Sequence, residues 1–461
     1  MKLTPLEPWI QNKITSNSEH LLTSDLEAYQ LEQLRRTIQW GREKSRFYAK
    51  HLANAPQDIS RLDDIALFPF TTAADLLREG KQFLCVSQSD IYRVVTLDTS
   101  GTMGEPKRIY FTRSDQELTI DFFHHGMTTF TEVGDRVIIL LPCEKPGSVG
   151  DLLAMGLDRL GAVPIRYGPV HDPIHTLNVM QTEKVNGLVG SPVQTLTLAR
   201  FWQMMGSPSD AKPSQVLLST DHLPQAILNA LESIWGCTVY NHYGMTEMGL
   251  GGGVECQARR GYHLREADLY FEIVEPRTGK PVPEGEQGEV IFTTLTRVGM
   301  PLIRYRTGDL SRFIPGWCPC GTSLRTLARI TRRLDNLITF QKTDAIGVSN
   351  ANFTPSLCMA DLDEALFPIP QVVNFSALLS TQSNDTDLLE ITIIVLPNTT
   401  QDITNQAHKA LESIPVIQDA IQTGLLDAQI KVQKFDPKVS GSMVKRVILD
   451  RRSRSQIANQ D

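Results

Sequence analysis

The sequence predicts an α/β protein with a large N-terminal domain and a small α+β domain at the C-terminal end. Three observations carry that prediction. From about residue 86, short apolar runs rich in β-formers alternate with segments of helical periodicity. Beyond Tyr243 the runs are separated by Gly/Pro turns, and beyond Arg329 strand and helix patterns alternate again. A chain of 461 residues exceeds what one hydrophobic core ordinarily fills, so more than one domain is expected.

Strands are expected at Ile91–Leu97, Arg136–Leu141, Ala162–Arg166, Gly187–Val189, Gln215–Leu218 and Cys237–Asn241, with helices Asp151–Leu160, Val193–Met205 and Pro224–Trp235 between them. Strand–helix–strand alternation favours a parallel sheet covered on both faces. A β-rich subdomain follows, with strands at Leu269–Val274, Glu289–Thr294 and Ser311–Ile314. The C-terminal texture implies a helix near Pro355–Phe367, a strand at Glu390–Leu396, a helix near Asp402–Ile414 and a strand at Gln429–Phe435. The domain boundary is placed between residues 1–334 and 335–461.

Composition narrows the function classes. The 45 basic and 52 acidic side chains give a formal net charge of −7, which argues against nucleic acid as a partner. The start of the chain lacks the apolar run of a secretory signal and no segment is apolar enough to span a bilayer, so a cytoplasmic protein with no membrane partner is expected. Seven cysteines are too sparse for a disulfide scaffold and suit a reducing compartment. The basic cluster Lys445, Arg446, Arg451, Arg452 and Arg454 reads as a solvated tail before it reads as an anion site.

The segment Thr99-Ser100-Gly101-Thr102-Met103-Gly104-Glu105-Pro106-Lys107 follows an expected strand. Small residues let backbone N–H groups turn inward around phosphate oxygens, hydroxyls add donors and a lysine adds charge. The Walker spacing is absent, and on its residues alone an ordinary Gly/Ser turn is an equal reading. Three more stretches carry chemistry: Asn241-His242-Tyr243-Gly244-Met245-Thr246-Glu247, Tyr305-Arg306-Thr307-Gly308-Asp309 and Arg333-Leu334-Asp335.

Together, in this order over about 240 residues, the four stretches resemble the signatures of the adenylate-forming (acyl-CoA synthetase) superfamily. Glu255-Cys256 after the second motif and Cys318-Pro319-Cys320-Gly321 after the third resemble its phenylacetate–CoA ligase-like branch. The resemblance implies an ATP-dependent carboxylate–CoA ligase with ATP, Mg²⁺ and CoA as cofactors, a small aryl or similar carboxylic acid as substrate, and the homodimer that related ligases often form. It implies that Ser100, Gly101, Thr102, Gly104 and Lys107 grip the β- and γ-phosphates, while Thr246 and Glu247 hold the α-phosphate and Mg²⁺. Tyr243 and Gly244 would border adenine, Asp309 and Arg333 would hold the ribose, and Asp335 would be the hinge about which a mobile small domain turns. The charge that builds up as pyrophosphate leaves calls for such donors and cations. The plainer readings are a core tyrosine at Tyr243 and a helix-terminal carboxylate at Glu247.

Cys318 and Cys320 put two thiolates on one tight turn, and Cys256 with His263 would complete a Cys₃His set for tetrahedral zinc. The resemblance supports that grouping, and a filled shell makes the zinc structural. Free thiols and a surface histidine are the alternative.

One departure bears on activity. The family's lysine near the α-phosphate falls here on Ser442 or Met443, and Lys445 lies two or three residues late. Losing a cation at a developing charge costs on the order of 3 kcal/mol, about a hundredfold in rate, unless Lys445 substitutes. Two alternatives therefore stand beside the ligase: an adenylating enzyme with a non-CoA acceptor, and a catalytically impaired adenylate-binding module.

Overall fold

The computed structural model describes residues 1–14, 20–97, 106–208, 212–340, 355–437 and 446–452. It is α/β, as the sequence predicts, and its contacts group into two compact units: Met1–Gly168 with Tyr240–Ile330, and Pro169–Val239 with Thr331–Asp461. The boundary read from the sequence lies at residue 334; the contact grouping has a junction after Ile330 and joins residues 169–239 to the C-terminal segment.

In the first unit, a hairpin pairs Arg93–Leu97 with Lys107–Phe111, Leu97 facing Lys107 at its open end. The helix Arg113–Met127 starts directly after it, because Thr112 accepts the Asp115 N–H at 3.1 Å while the Asp115 carboxylate accepts the Thr112 N–H at 2.9 Å. Strands Leu269–Val274, Gly288–Thr294 and Tyr305–Ser311 form an antiparallel sheet. Strands Tyr262–Leu264, Gly253–Glu255 and Thr238–Tyr243 pair antiparallel in a second one. One apolar core joins these pieces: Leu34, Ile38, Tyr48 and Phe83 of the N-terminal helical segment share it with Ile109, Phe111, Tyr243, Phe271, Phe292 and Tyr305. Arg304, only 2% exposed, ties that segment down by donating to Glu272 at 2.8 Å and to the Phe68 carbonyl at 2.6 Å.

The second unit holds the parallel strands Gly187–Gly190 and Gln215–Leu218 with helices Pro173–Thr182, Pro192–Met204 and Gln225–Trp235. It also holds a four-stranded sheet in the order Leu426–Lys434, Asp387–Val395, Val372–Thr381, Ile448–Asp450. Along Asp387–Val395 alternate side chains are buried, the period-two pattern of a sheet covered on one face. Among the described residues, no helix is long and apolar enough to cross a membrane.

Two expectations are corrected. The strand expected at Ser311–Ile314 runs instead from Tyr305 to Ser311, so Thr307-Gly308-Asp309 lies within a strand. The solvated reading of the basic end fails for two of its described members, while Arg451 is exposed: Arg446 pairs with buried Asp363 and lies against Phe367 and Phe375, and Arg452 bonds Asp387 at 2.9 Å and Asp450 at 2.8 Å. Apolar and acidic partners from a helix and strands distant in sequence engage those two arginines, which a local charge count does not register.

Candidate functional site

Lys107 opens the second strand of the hairpin, and its Nζ bonds the carboxylate of Glu247, a residue 140 positions later. Glu247 sits in the single 3₁₀ turn Thr246–Met248, which Gly249 closes at φ +78°. Tyr305 Oη donates to Glu247 Oε1 at 3.1 Å, and Arg297 Nη1 donates to the Glu247 carbonyl at 2.8 Å. Burial by itself would raise the Glu247 carboxyl; the Lys107 charge and hydrogen bond, its own backbone N–H and the Tyr305 hydroxyl more than offset this and leave it below the usual range. A buried carboxylate held ionised beside a lysine has the chemistry to meet a metal–phosphate group, with Lys107 free to turn to the phosphate.

Asp309 is 3% exposed and accepts from Tyr243 Oη at 3.0 Å. Its place depends on an irregular strand: opposite the register shift between Glu289 and Ile291, Gly308 takes φ +75° and its N–H donates to Glu289 Oε1 at 3.0 Å. A side chain at that φ is strained, which is why glycine stands there. The Asp309 N–H then bonds Thr307 Oγ1 at 3.0 Å. Tyr243, 6% exposed, stacks on Tyr262 with ring centroids 5.6 Å apart. Gly244 leaves no room for a side chain, since a Cβ would fall 2.6 Å from the Leu250 carbonyl oxygen.

The first unit thus gathers Lys107, Thr246, Glu247, Tyr243, Gly244 and Asp309. Arg333 and Asp335 belong to the second unit, where Arg333 Nη2 lies 3.7 Å from the Asp335 carboxylate. Ser100, Gly101, Thr102, Gly104 and Lys445 lie outside the described residues. Sequence reasoning gave Tyr305 no role of its own and missed Arg297 altogether. Tyr305 stood in a recognised motif; Arg297 had no local signal, because its partner is a main-chain carbonyl 50 residues away.

The four expected metal ligands do converge. Cys256, His263, Cys318 and Cys320 are buried, with ligand atoms all within 4.8 Å of one another. Cys256 Sγ and Cys318 Sγ are 3.6 Å apart, and Cys320 Sγ and His263 Nε2 are 3.5 Å apart. Bond lengths near 2.0–2.3 Å put ligand atoms of a tetrahedral zinc about 3.5–3.8 Å apart, so the donor set fits that ion. His263 Nδ1 faces the Arg325 carbonyl at 3.4 Å, leaving Nε2 for the cluster. Hydrogen bonding from Cys256 and then from His263 pulls the Cys320 thiol well below its usual range. The following turn is braced from the N-terminal helix, where Glu7 accepts from Thr322 Oγ1 at 2.5 Å and the Ser323 N–H at 2.8 Å.

Residues 89–295 match the family model described as AMP-binding enzyme. The chain is 32% identical over 326 residues to the phenylacetate–coenzyme A ligase of Aromatoleum evansii, covering 68% of this chain and 72% of that one. It is 28% identical over 393 residues to the phenylacetate–coenzyme A ligase of Thermus thermophilus, covering 82% and 83%. Its fold is similar to that of a crystal structure of 2-hydroxyisobutyryl-CoA ligase in the postadenylation state, with TM-score 0.74 at 21% identity over 94% of this chain and 91% of that one. The chain belongs to the phenylacetate–coenzyme A ligase family of AMP-binding enzymes.

Proposed function

We propose that this AMP-forming acid–CoA ligase acts on an aryl or similarly small carboxylic acid. The acid's carboxylate oxygen attacks the α-phosphorus of ATP and pyrophosphate leaves. The CoA thiol then attacks the acyl carbon and AMP leaves. The observation that carries the reading is the meeting of Lys107, Glu247 and Tyr305, three residues from three separate motifs of one ordered series, around a single carboxylate. The aryl preference rests on the phenylacetate–CoA ligases among its relatives. Phe122 and Phe123 give it no support: both are buried and pack on His242, Phe122 also on Trp9, as core residues.

In this reading Lys107, with Ser100, Gly101, Thr102 and Gly104, holds the β- and γ-phosphates, and Thr246 and Glu247 face the α-phosphate. Glu247 would also hold Mg²⁺, which supplies charge neutralisation at the phosphates. Asp309 and Arg333 hold the ribose, Tyr243 and Gly244 border the base, and residues 335–461 turn about Asp335 between the two half-reactions. Lys445 stands in for the lysine absent at Ser442 and Met443. Cys256, His263, Cys318 and Cys320 hold a structural zinc, four protein ligands leaving no open position for chemistry.

The test is product analysis. Purified protein with ATP, Mg²⁺, CoA and a pool of aryl and short aliphatic acids should yield an acyl-CoA, AMP and pyrophosphate. Acyl hydroxamate with hydroxylamine, but no thioester with CoA, would move the reading to a non-CoA acceptor. Protein that binds ATP yet releases no pyrophosphate with any acid would be an impaired adenylate-binding module.

A further inference from the structure

Arg297 is a buried cation with no carboxylate within ion-pairing distance among the described residues. It is 7% exposed, and burial pulls its guanidinium down to about 10. Holding such a group in the interior is unfavourable unless something compensates for its lost hydration. Its compensation is specific: Nη1 donates to the Glu247 carbonyl at 2.8 Å, and the guanidinium lies 4.4 Å over the Phe111 ring, in the hairpin strand that carries Lys107. Nη2 and the Nε of buried Arg265 have no hydrogen-bond partner among the described residues, and both arginines line a cavity of about 20 Å³ beside Met248 and Gly249. Such a volume holds about one water.

Tyr305 acts on the other end of the same residue. Its hydroxyl donates to Glu247 Oε1 at 3.1 Å, the same oxygen that Lys107 engages, so neither of these donors occupies Oε2. A third anchor fixes the turn just after Glu247, where Thr119 Oγ1 donates to the Gly249 carbonyl at 2.7 Å. The main chain of Glu247 is therefore pinned at its carbonyl and at the turn that follows, and its carboxylate is held at Oε1.

We propose that Arg297 and Tyr305 are positioning residues that clamp Glu247 at its carbonyl and its carboxylate, setting the carboxylate for the metal ion of a bound metal–nucleotide. This rests on the reading of Glu247 as a metal–phosphate ligand. Neither residue touches the nucleotide in this proposal; both act through Glu247, so their effects should vanish when Glu247 no longer supplies a charged oxygen.

The experiment measures Mn²⁺ binding by electron paramagnetic resonance in the presence of α,β-methylene-ATP, using the full chain and thus needing no acid substrate. Glu247→Gln should weaken Mn²⁺ binding, and Tyr305→Phe and Arg297→Met should each weaken it about tenfold, the size expected for a lost hydrogen bond to a charged or buried group. Arg297→Lys, which keeps a donor toward the carbonyl, should recover most of that loss. In the Glu247→Gln background, Tyr305→Phe should have no further effect. Tyr305→Phe removes only a hydroxyl, so it carries the test if Arg297→Met does not fold. Unchanged Mn²⁺ affinity in Glu247→Gln overturns the reading of the site and the clamp with it. A weakened Glu247→Gln with Tyr305→Phe silent, or fully additive in the double variant, overturns the clamp alone.

Discussion

Glu247 shows how a single side chain sums opposing effects. Burial pushes its carboxyl up, while Lys107, its own backbone N–H and Tyr305 push it further down, so the native state holds it ionised below the usual carboxylate range. A carboxyl depressed on folding stabilises the native state above its unfolded value and loses that contribution as pH falls through the folded one. The stability difference between the natural protein and Glu247→Gln, measured by thermal melts, should accordingly be largest near neutral pH and shrink on acidification below the ordinary carboxylate range. A difference that grows on acidification would mean that the ion pair is not what holds Glu247. At Asp309 the relevant partner is Tyr243 Oη at 3.0 Å. Tyr243→Phe should weaken ATP binding about tenfold by calorimetry, the size of one hydrogen bond to a carboxylate, with the fold unchanged.

At the scale of elements, what the sequence revealed depended on whether a segment's partners leave a local imprint. Gln215–Leu218 and Leu269–Val274 are found where the apolar runs put them, because burial on a sheet writes itself into residue type. The helix Thr23–Lys44 was not legible: its buried face includes Gln30 and Thr37, which bond the Glu266 and Leu295 carbonyls and dilute the apolar period. The strand Tyr305–Ser311 was misplaced because Thr-Gly-Asp reads as a turn, while in the sheet it forms an irregularity that points Asp309 at Tyr243. Gly308→Ala should therefore cost about 1–2 kcal/mol in urea unfolding, the strain of a side chain at positive φ. The Cys₃His cluster was legible by residue type, but its closure required the strand Tyr262–Leu264, the residue after the strand Gly253–Glu255 and the 318–321 turn to meet. The protein should hold about one equivalent of zinc, and Cys320→Ser should release it and lower the thermal midpoint by roughly 5 °C or more. Full zinc retention in that variant would place the ion elsewhere.

For the molecule as a whole, chemistry is assembled from remote sequence. Lys107, Glu247 and Tyr305 span about 200 residues and share one carboxylate, and the hairpin, the 3₁₀ turn and the sheet that carry them share one apolar core. Motif order supplied the family, Lys107 and Glu247; the part played by Tyr305 and the arginine behind them emerged only from three-dimensional packing. If Lys445 replaces the lysine missing at Ser442 and Met443, Lys445→Ala should slow acyl-adenylate formation on the order of a hundredfold with ATP affinity little changed. The most direct test of the central claim is carboxylate-dependent exchange of labelled pyrophosphate into ATP, compared between the natural protein and Glu247→Gln. Exchange that requires an added acid and falls on the order of a hundredfold in the variant is the result expected of an adenylating site built around this residue. Exchange of equal rate in both proteins would contradict it.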